Sequence, residues 1–176
     1  MKHILSILFF WSLNAYASLF FDEIKVYKSK HKMDLLLDGI VVKSYRVMLG
    51  NGGMSPKRQE GDQLVPEGQY ILDEKNPNSK YHRSIHISYP NDEDRERARE
   101  TGVDPGGSVF IHGVPNSKSK IVEWLLNRLV KIKDHTKSKK LEKLLDWTKG
   151  CIAVSNQEAE EIFDNISTPT PITIYP

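Results

Sequence analysis

Asp38-Gly39, set between apolar segments at residues 33–37 and 40–47, constrains the fold more than any other feature of this chain. An Asp-Gly pair accepts the positive φ angles of a two-residue hairpin turn, so the flanking segments are expected to pair antiparallel. Short strand patterns recur along the chain. Ile24-Lys25-Val26-Tyr27 alternates, Val65-Pro66-Glu67-Gly68 turns into Gln69-Tyr70-Ile71-Leu72, and residues 81–89 alternate over their whole length. Asp104-Pro105-Gly106-Gly107 turns into Ser108-Val109-Phe110-Ile111-His112-Gly113, an apolar run follows Cys151, and Ile172-Thr173-Ile174-Tyr175 reads as a closing strand. Two helices interrupt the strands. Asn91 caps the first, with Asp92, Glu93 and Asp94 in its opening turn and Gly102 at its end. Ser155-Asn156-Gln157-Glu158 is a capping box for the second, which turns Ala159, Ile162, Phe163 and Ile166 inward and stops before Pro169. The expected class is mainly β with added helices (α+β).

Met1-Lys2-His3 is a short positive start, residues 4–13 are almost wholly apolar, and Ala15-Tyr16-Ala17 fits a small-residue cleavage site. The pattern predicts a secretory signal peptide over residues 1–17 and export to the periplasm or cell envelope. Its apolar core is too short for a spanning anchor. Residues 18–176 then suit one domain with a sizeable core. A formal net charge of +2 is too slight to argue for nucleic acid as a partner. Positive charge is instead concentrated between residues 118 and 143, nine basic against three acidic. Ile121, Trp124, Leu125, Leu129 and Ile132 recur there at helical spacing, and Leu141, Leu144 and Leu145 mark a second helical piece. This insertion, about residues 117–145, reads as an amphipathic hairpin with a solvated basic face. The alternative is a lid, or a surface for an anionic envelope polymer.

Cys151 is the one cysteine of the chain. In an oxidising compartment a thiol without an intrachain partner is buried and inert, engaged with another chain, or kept as a working nucleophile. Gly150 before it lets backbone approach a substrate, and N–H groups near Gly150 and Cys151 could serve as oxyanion donors. His112 stands at a strand end. Gly113 after it leaves room for a carbonyl to orient the imidazole, making His112 a candidate general base; the plainer reading is an ordinary hydrogen-bonded histidine. On a strand His82, Ser84, His86 and Ser88 share one face, and His86 and Ser88 are expected to border a substrate groove. The four-residue spacing of His82 and His86 suits zinc on a helix, not on a strand, and no metal is expected. Lys57 and Arg58 belong to a polar loop read as solvated, with contact to an anionic substrate group as the alternative.

Taken together, Pro66-Glu67-Gly68, Asn76-Pro77-Asn78-Ser79, His86-Ile87-Ser88-Tyr89-Pro90-Asn91, Gly106-Gly107 through Ile111-His112-Gly113, and Asp146-Trp147-Thr148 through Gly150-Cys151-Ile152-Ala153-Val154-Ser155-Asn156 form a recognisable set. With it the chain resembles the L,D-transpeptidase catalytic domains of YkuD type, specifically a short secreted bacterial subgroup. The resemblance spans about residues 22–176. It implies a β-sandwich or barrel, here with a basic helical insertion between the His-Gly and Gly-Cys motifs. It also implies that Cys151 forms a thioester with a peptidoglycan stem peptide and that His112 carries the proton, with the Gly113 carbonyl holding its tautomer. Gly107 would line the substrate site with His86 and Ser88. No cofactor is implied, and a carbapenem would act as a covalent inhibitor.

Three departures bear on the second half of the reaction. Lys149 stands where relatives often carry a histidine, Ala153 where Arg or Asn is usual, and 39 positions separate His112 from Cys151. Transfer to an amine, including a wall-linked protein, is therefore less secure than acylation. An L,D-carboxypeptidase or amidase-type hydrolase on the same substrate, or a non-catalytic wall-binding module, are the alternatives.

Overall fold

The computed structural model describes residues 20–117 and 146–176. The expected signal peptide and, apart from Ser117, the basic insertion lie outside the described residues. The chain opens with β1 (Glu23–Tyr27), a 3-10 turn (Lys28–Lys30), β2 (Lys32–Leu37) and β3 (Ile40–Arg46). Asp38 and Gly39 take φ of 51° and 75°, the left-handed pair that a tight hairpin needs, and β2 and β3 pair antiparallel as expected. There follow β4 (Gly68–Asn76), β5 (Ser84–Ile87), α1 (Asp92–Thr101), β6 (Phe110–His112), β7 (Ile152–Ala153), α2 (Asn156–Asn165) and β8 (Thr170–Tyr175). Both expected N-caps form, and Asn91 makes a capping box as Ser155 does: Asn91 Oδ1 accepts the Asp94 N–H, and Ser155 Oγ accepts the Glu158 N–H.

The strands make one sheet in the order β3-β2-β1-β8-β4-β5-β6-β7. The last strand in sequence sits at its centre, parallel to β1 in the register Ile24↔Ile172 and Val26↔Ile174. All four of those side chains are buried, because alternation sends them to one face where Met33, Leu72, Ile85 and Ile111 also pack. Helix α2 closes over this core with Ala159 and Ile162 buried, Phe163 packed against it, and Ile166 buried just past its end.

The sheet curls until its two ends meet. Met48 follows β3 at one edge and pairs with Ala153 of β7 at the other, each N–H donating to the other's carbonyl at 2.8 and 2.9 Å. Thr148 N–H donates to Leu49 O, and Asn51 N–H to Thr148 O, both at 3.1 Å. Closure of this kind removes two sticky edges at once. A buried pair reinforces it. Asp146 Oδ1 accepts the Leu49 N–H at 2.8 Å, while Oδ2 lies 2.9 Å from His31 Nε2 at the β1–β2 turn.

One strand is shorter than its alternation suggests. His82 has φ of 66° and cannot lie in a strand, so the run at residues 81–89 contributes only Ser84–Ile87. Asn116 Oδ1 accepts the His82 N–H and fixes that turn from outside the run.

Removing the acceptor of a buried hydrogen bond leaves its donor unsatisfied, which typically costs about 1–3 kcal/mol. Asp146→Ala is expected to lower unfolding free energy by roughly 2 kcal/mol, since it removes the contact to His31 and orphans the Leu49 N–H. Asp146→Asn, which keeps an acceptor for Leu49, is expected to lose less. Urea unfolding at neutral pH measures both; a loss of under about 1 kcal/mol in Asp146→Ala would show that closure does not rely on this anchor.

Candidate active site

Parallel pairing of β6 with β7 places Ile111 beside Ile152 and His112 beside Ala153. Cys151 immediately precedes that second strand, so the register brings the histidine and the thiol to one end of the sheet. Both line the same cavity of about 480 Å³, together with Ser84, Phe110, Tyr81 and Ser108. Ser84 enters because β5 pairs antiparallel with β6 and sets it directly opposite His112.

His112 is held on every side. Its Nδ1 lies 2.5 Å from the Gly113 carbonyl, which places the ring hydrogen on Nδ1 and leaves Nε2 as an acceptor. Gly113 is itself fixed, its N–H donating to Tyr81 O at 3.0 Å. The Tyr81 ring lies 4.6 Å from the imidazole and Trp147 5.7 Å from it, with Tyr81 and Trp147 stacked 6.0 Å apart. Trp147 donates its indole N–H to Met48 Sδ at 3.3 Å, which ties the aromatic wall to the closing residues. Burial lowers the pKa of His112 below the ordinary histidine value, and the Gly113 bond opposes this only in part. At neutral pH the ring is therefore uncharged and able to take a proton.

Cys151 follows Gly150, whose φ of 120° belongs to glycine and whose added Cβ would stand 2.8 Å from Leu64 O. The thiol lies 3.7 Å from Ser108 O. Ser108 itself sits in the left-handed region at φ 56°. Burial pushes the thiol pKa up, and a hydrogen bond from the Phe110 backbone and the positive charge of Lys57 pull it partly back. Thr148 Oγ1 donates to Cys151 O at 2.7 Å and accepts the Gly150 N–H at 3.3 Å. Of the two expected oxyanion donors, Gly150 is thus already engaged. Cys151 N–H has no hydrogen-bond partner among the described residues.

A second cavity of about 360 Å³ shares Cys151 and Ser108 with the first, and Gly107, Lys57 and Lys149 line it. Gly107 therefore borders a cavity that Cys151 also lines. His86 and Ser88 do not. His86 Nδ1 pairs with Asp73 Oδ1 at 2.7 Å and sets its ring against the far edge of Phe110 at 5.1 Å. Ser88 Oγ accepts the Ile71 N–H at 2.9 Å and serves the sheet rather than the cleft. Lys57 corrects the reading of a solvated loop. It is only 5% exposed, with Nζ 2.8 Å from Asp62 Oδ1 and 3.0 Å from Gln59 O. Tyr81 was beyond sequence reasoning, because it acts across a turn whose geometry depends on Asn116. Asn76, Asn78 and Ser79 carry the resemblance as a motif, and the structure places them on the wall of the larger cavity.

The directions of these shifts make a testable statement about the resting site. With the imidazole pKa lowered and the thiol pKa raised, both groups are neutral at pH 7 rather than a thiolate–imidazolium pair. Alkylation of Cys151 by iodoacetamide is expected to rise with pH up to and beyond about pH 8.5, the ordinary thiol value. A plateau already reached below pH 7 would show a preformed ion pair instead.

Over 96 residues the chain is 31% identical to YafK of Escherichia coli strain K12, an overlap of 51% of this chain and 37% of that protein. Its fold matches the helical cell shape determining protein Pgp2 of Campylobacter jejuni with a TM-score of 0.58 at 23% identity, over 86% of this chain and 46% of that one. It matches an L,D-transpeptidase from Mycobacterium smegmatis with a TM-score of 0.52 at 14% identity, over 88% of this chain and 58% of that one. The chain thus spans about a third to somewhat over half of the length of these relatives. The sequence pattern of the YkuD family, described as the L,D-transpeptidase catalytic domain, runs through residues 22–174, across both the His-Gly and the Gly-Cys motifs. This chain belongs to that family of L,D-transpeptidase catalytic domains.

Proposed function

We propose that the chain is an exported cysteine acyltransferase that acts on peptidoglycan stem peptides through a thioester on Cys151. One observation carries this reading: Cys151 and His112 share a cavity, and the Gly113 carbonyl holds His112 in the tautomer that presents Nε2 as a base. Family membership supplies the substrate class. Export is supported by the positive start, the apolar residues 4–13 and Ala15-Tyr16-Ala17, and it places the enzyme where wall polymer lies.

The chemistry follows from the atoms present. His112 Nε2 takes the thiol proton as Sγ adds to the carbonyl at the L-centre of a tetrapeptide. Cys151 N–H would donate to the oxyanion, an interaction typically worth about 10²–10³ in rate. Collapse breaks the C–N bond, and His112 returns its proton to the departing D-alanine amine. In the second half His112 removes a proton from water or from an acceptor amine, which attacks the thioester and regenerates the thiol.

Water is the favoured acceptor. Ala153 is fully buried and pairs through its backbone with Met48, so it offers an acceptor nothing. Lys149 lines the smaller cavity, not the one that contains His112. Water needs no binding pocket, and hydrolysis or release of a wall-linked group gains where acceptor contacts are few. A β-lactam is the matching covalent probe; the structure of L,D-transpeptidase 3 from Mycobacterium tuberculosis, a fold neighbour at 15% identity and a TM-score of 0.51, is in complex with a faropenem-derived adduct.

Cys151→Ala is expected to lower D-alanine release from defined tetrapeptides by roughly 10⁴-fold or more while the unfolding midpoint stays unchanged. His112→Gln is expected to be nearly as damaging. A carbapenem should add the mass of one molecule per chain to the parent protein and none to Cys151→Ala. Wild-type turnover in Cys151→Ala would refute the nucleophile. Cross-linked dimer as the main product with excess acceptor amine would refute the preference for water.

A further inference from the structure

We propose that the smaller cavity, on the Lys57 side of Cys151, binds the acyl half of the substrate through a free carboxylate on that half, while the leaving group departs on the His112 side. This rests on the acyl-transfer reading above and adds a direction and a charge to it.

Direction comes from where the base stands. The two cavities meet at Cys151 and Ser108, and His112 lines only the larger one. The proton taken from the thiol must be returned to the leaving nitrogen, a transfer that requires hydrogen-bond reach of Nε2. The leaving nitrogen therefore lies in the larger cavity. The acyl chain is bonded to the other side of the reacting carbonyl carbon and extends the opposite way, past Cys151 into the smaller cavity. Gly107 forms part of that wall, and a Cβ there would meet open space, so the wall is low enough for an extended peptide to lie along it.

Charge comes from what lines the smaller cavity. Lys57 and Lys149 line it with Glu60, and Asp62, paired with Lys57 from behind, offsets one of the two positive charges. Lys149 and Glu60 are exposed, where solvent screens them, whereas Lys57 is buried. An ammonium has three hydrogens to donate, and Asp62 Oδ1 and Gln59 O accept two; the Tyr89 ring lies 5.9 Å away, a loose contact that a ligand oxygen would replace as partner of the third. Asp62 is itself consumed within the loop, where Oδ2 accepts the N–H groups of Arg58 and Gln59 and Oδ1 that of Leu64. The loop thereby fixes Lys57, so a carboxylate binding there orders no flexible side chain. Stem peptides carry free carboxylates on the acyl side of the scissile bond, which is the chemistry this cavity matches.

The test uses two pairs of tetrapeptide donors. In one pair the acyl-half carboxylates are free or amidated; in the other the leaving D-residue carboxylate is free or amidated. The readout is kcat/KM for release of the leaving residue. The protein is expected to prefer the free acid over the amide in the acyl half by about 10-fold, as suits one charge-assisted hydrogen bond. Joint substitution Lys57→Met and Asp62→Asn, which leaves no unpaired buried carboxylate, should bring that preference to within about 2-fold. Lys149→Gln, at an exposed side chain, should reduce it about 3-fold and decides the matter if the joint variant does not fold. Neither change should alter the preference at the leaving residue. Indifference of the parent protein to acyl-half amidation would overturn the proposal, as would a Lys57 effect confined to the leaving residue. An acyl-enzyme on Cys151 formed without charge preference sinks this inference alone. Absence of any acyl-enzyme, with every donor and with a carbapenem, sinks the acyl-transfer reading and this inference with it.

Discussion

Closure of the curled sheet, by pairing of the residues after β3 with those around β7, is the constraint on which the rest of this molecule depends. Two backbone bonds between Met48 and Ala153 join edges that would otherwise be open. The strand they secure is only Ile152–Ala153, too short to hold its place by sheet pairing on one side. Yet this short strand sets the position of Cys151 against His112. The same stretch carries Trp147 against the imidazole and Thr148 under Gly150, so mechanical closure and the chemical site are one construction. Asp146 then ties its root to Leu49 and His31, far away in sequence.

Burial sets the electrostatic character of the site. A thiol and an imidazole both withdrawn from water are each driven toward the neutral form, because an isolated charge in a low-dielectric setting is costly. The resting pair is thus neutral, and on the proposed mechanism charge would develop only as a substrate carbonyl receives it. Two groups temper this. The Phe110 backbone and the Lys57 charge both favour the thiolate, and the tilted aromatic faces beside His112 suit an imidazolium once it forms. Such a thiol would be spared adventitious oxidation in an oxidising compartment, since reactivity follows thiolate content.

The local elements of this fold were legible in the sequence wherever the determinant lies within a few residues. Asp38-Gly39 dictates its hairpin, Asn91 and Ser155 start their helices, and alternation in Ile172-Thr173-Ile174 identifies a half-buried strand, because turn angles and capping bonds are satisfied by near neighbours. The His-Gly and Gly-Cys motifs were legible for the same reason, as the Gly113 carbonyl and His112 ring belong to adjacent residues.

Tertiary structure decided what depends on distant partners. Alternation states that His86 and Ser88 share a side with Ser84, but not which part of that side faces the cleft. The antiparallel register with β6 gives the position opposite His112 to Ser84 and hands His86 to Asp73. Lys57, read locally, is a charged residue in a polar loop; only the fold of that loop around Asp62 shows it buried beside the thiol. The parallel pairing of β6 with β7, with 38 residues between His112 and Cys151, has no local signature at all. The sequence by itself determined the turns, the caps and the two short motifs that carry the candidate pair, His112 and Cys151, since each is encoded by neighbours along the chain. Which groups surround that pair was decided by strand register and sheet closure, because hydrogen bonds between remote segments carry no periodicity that a single segment can display.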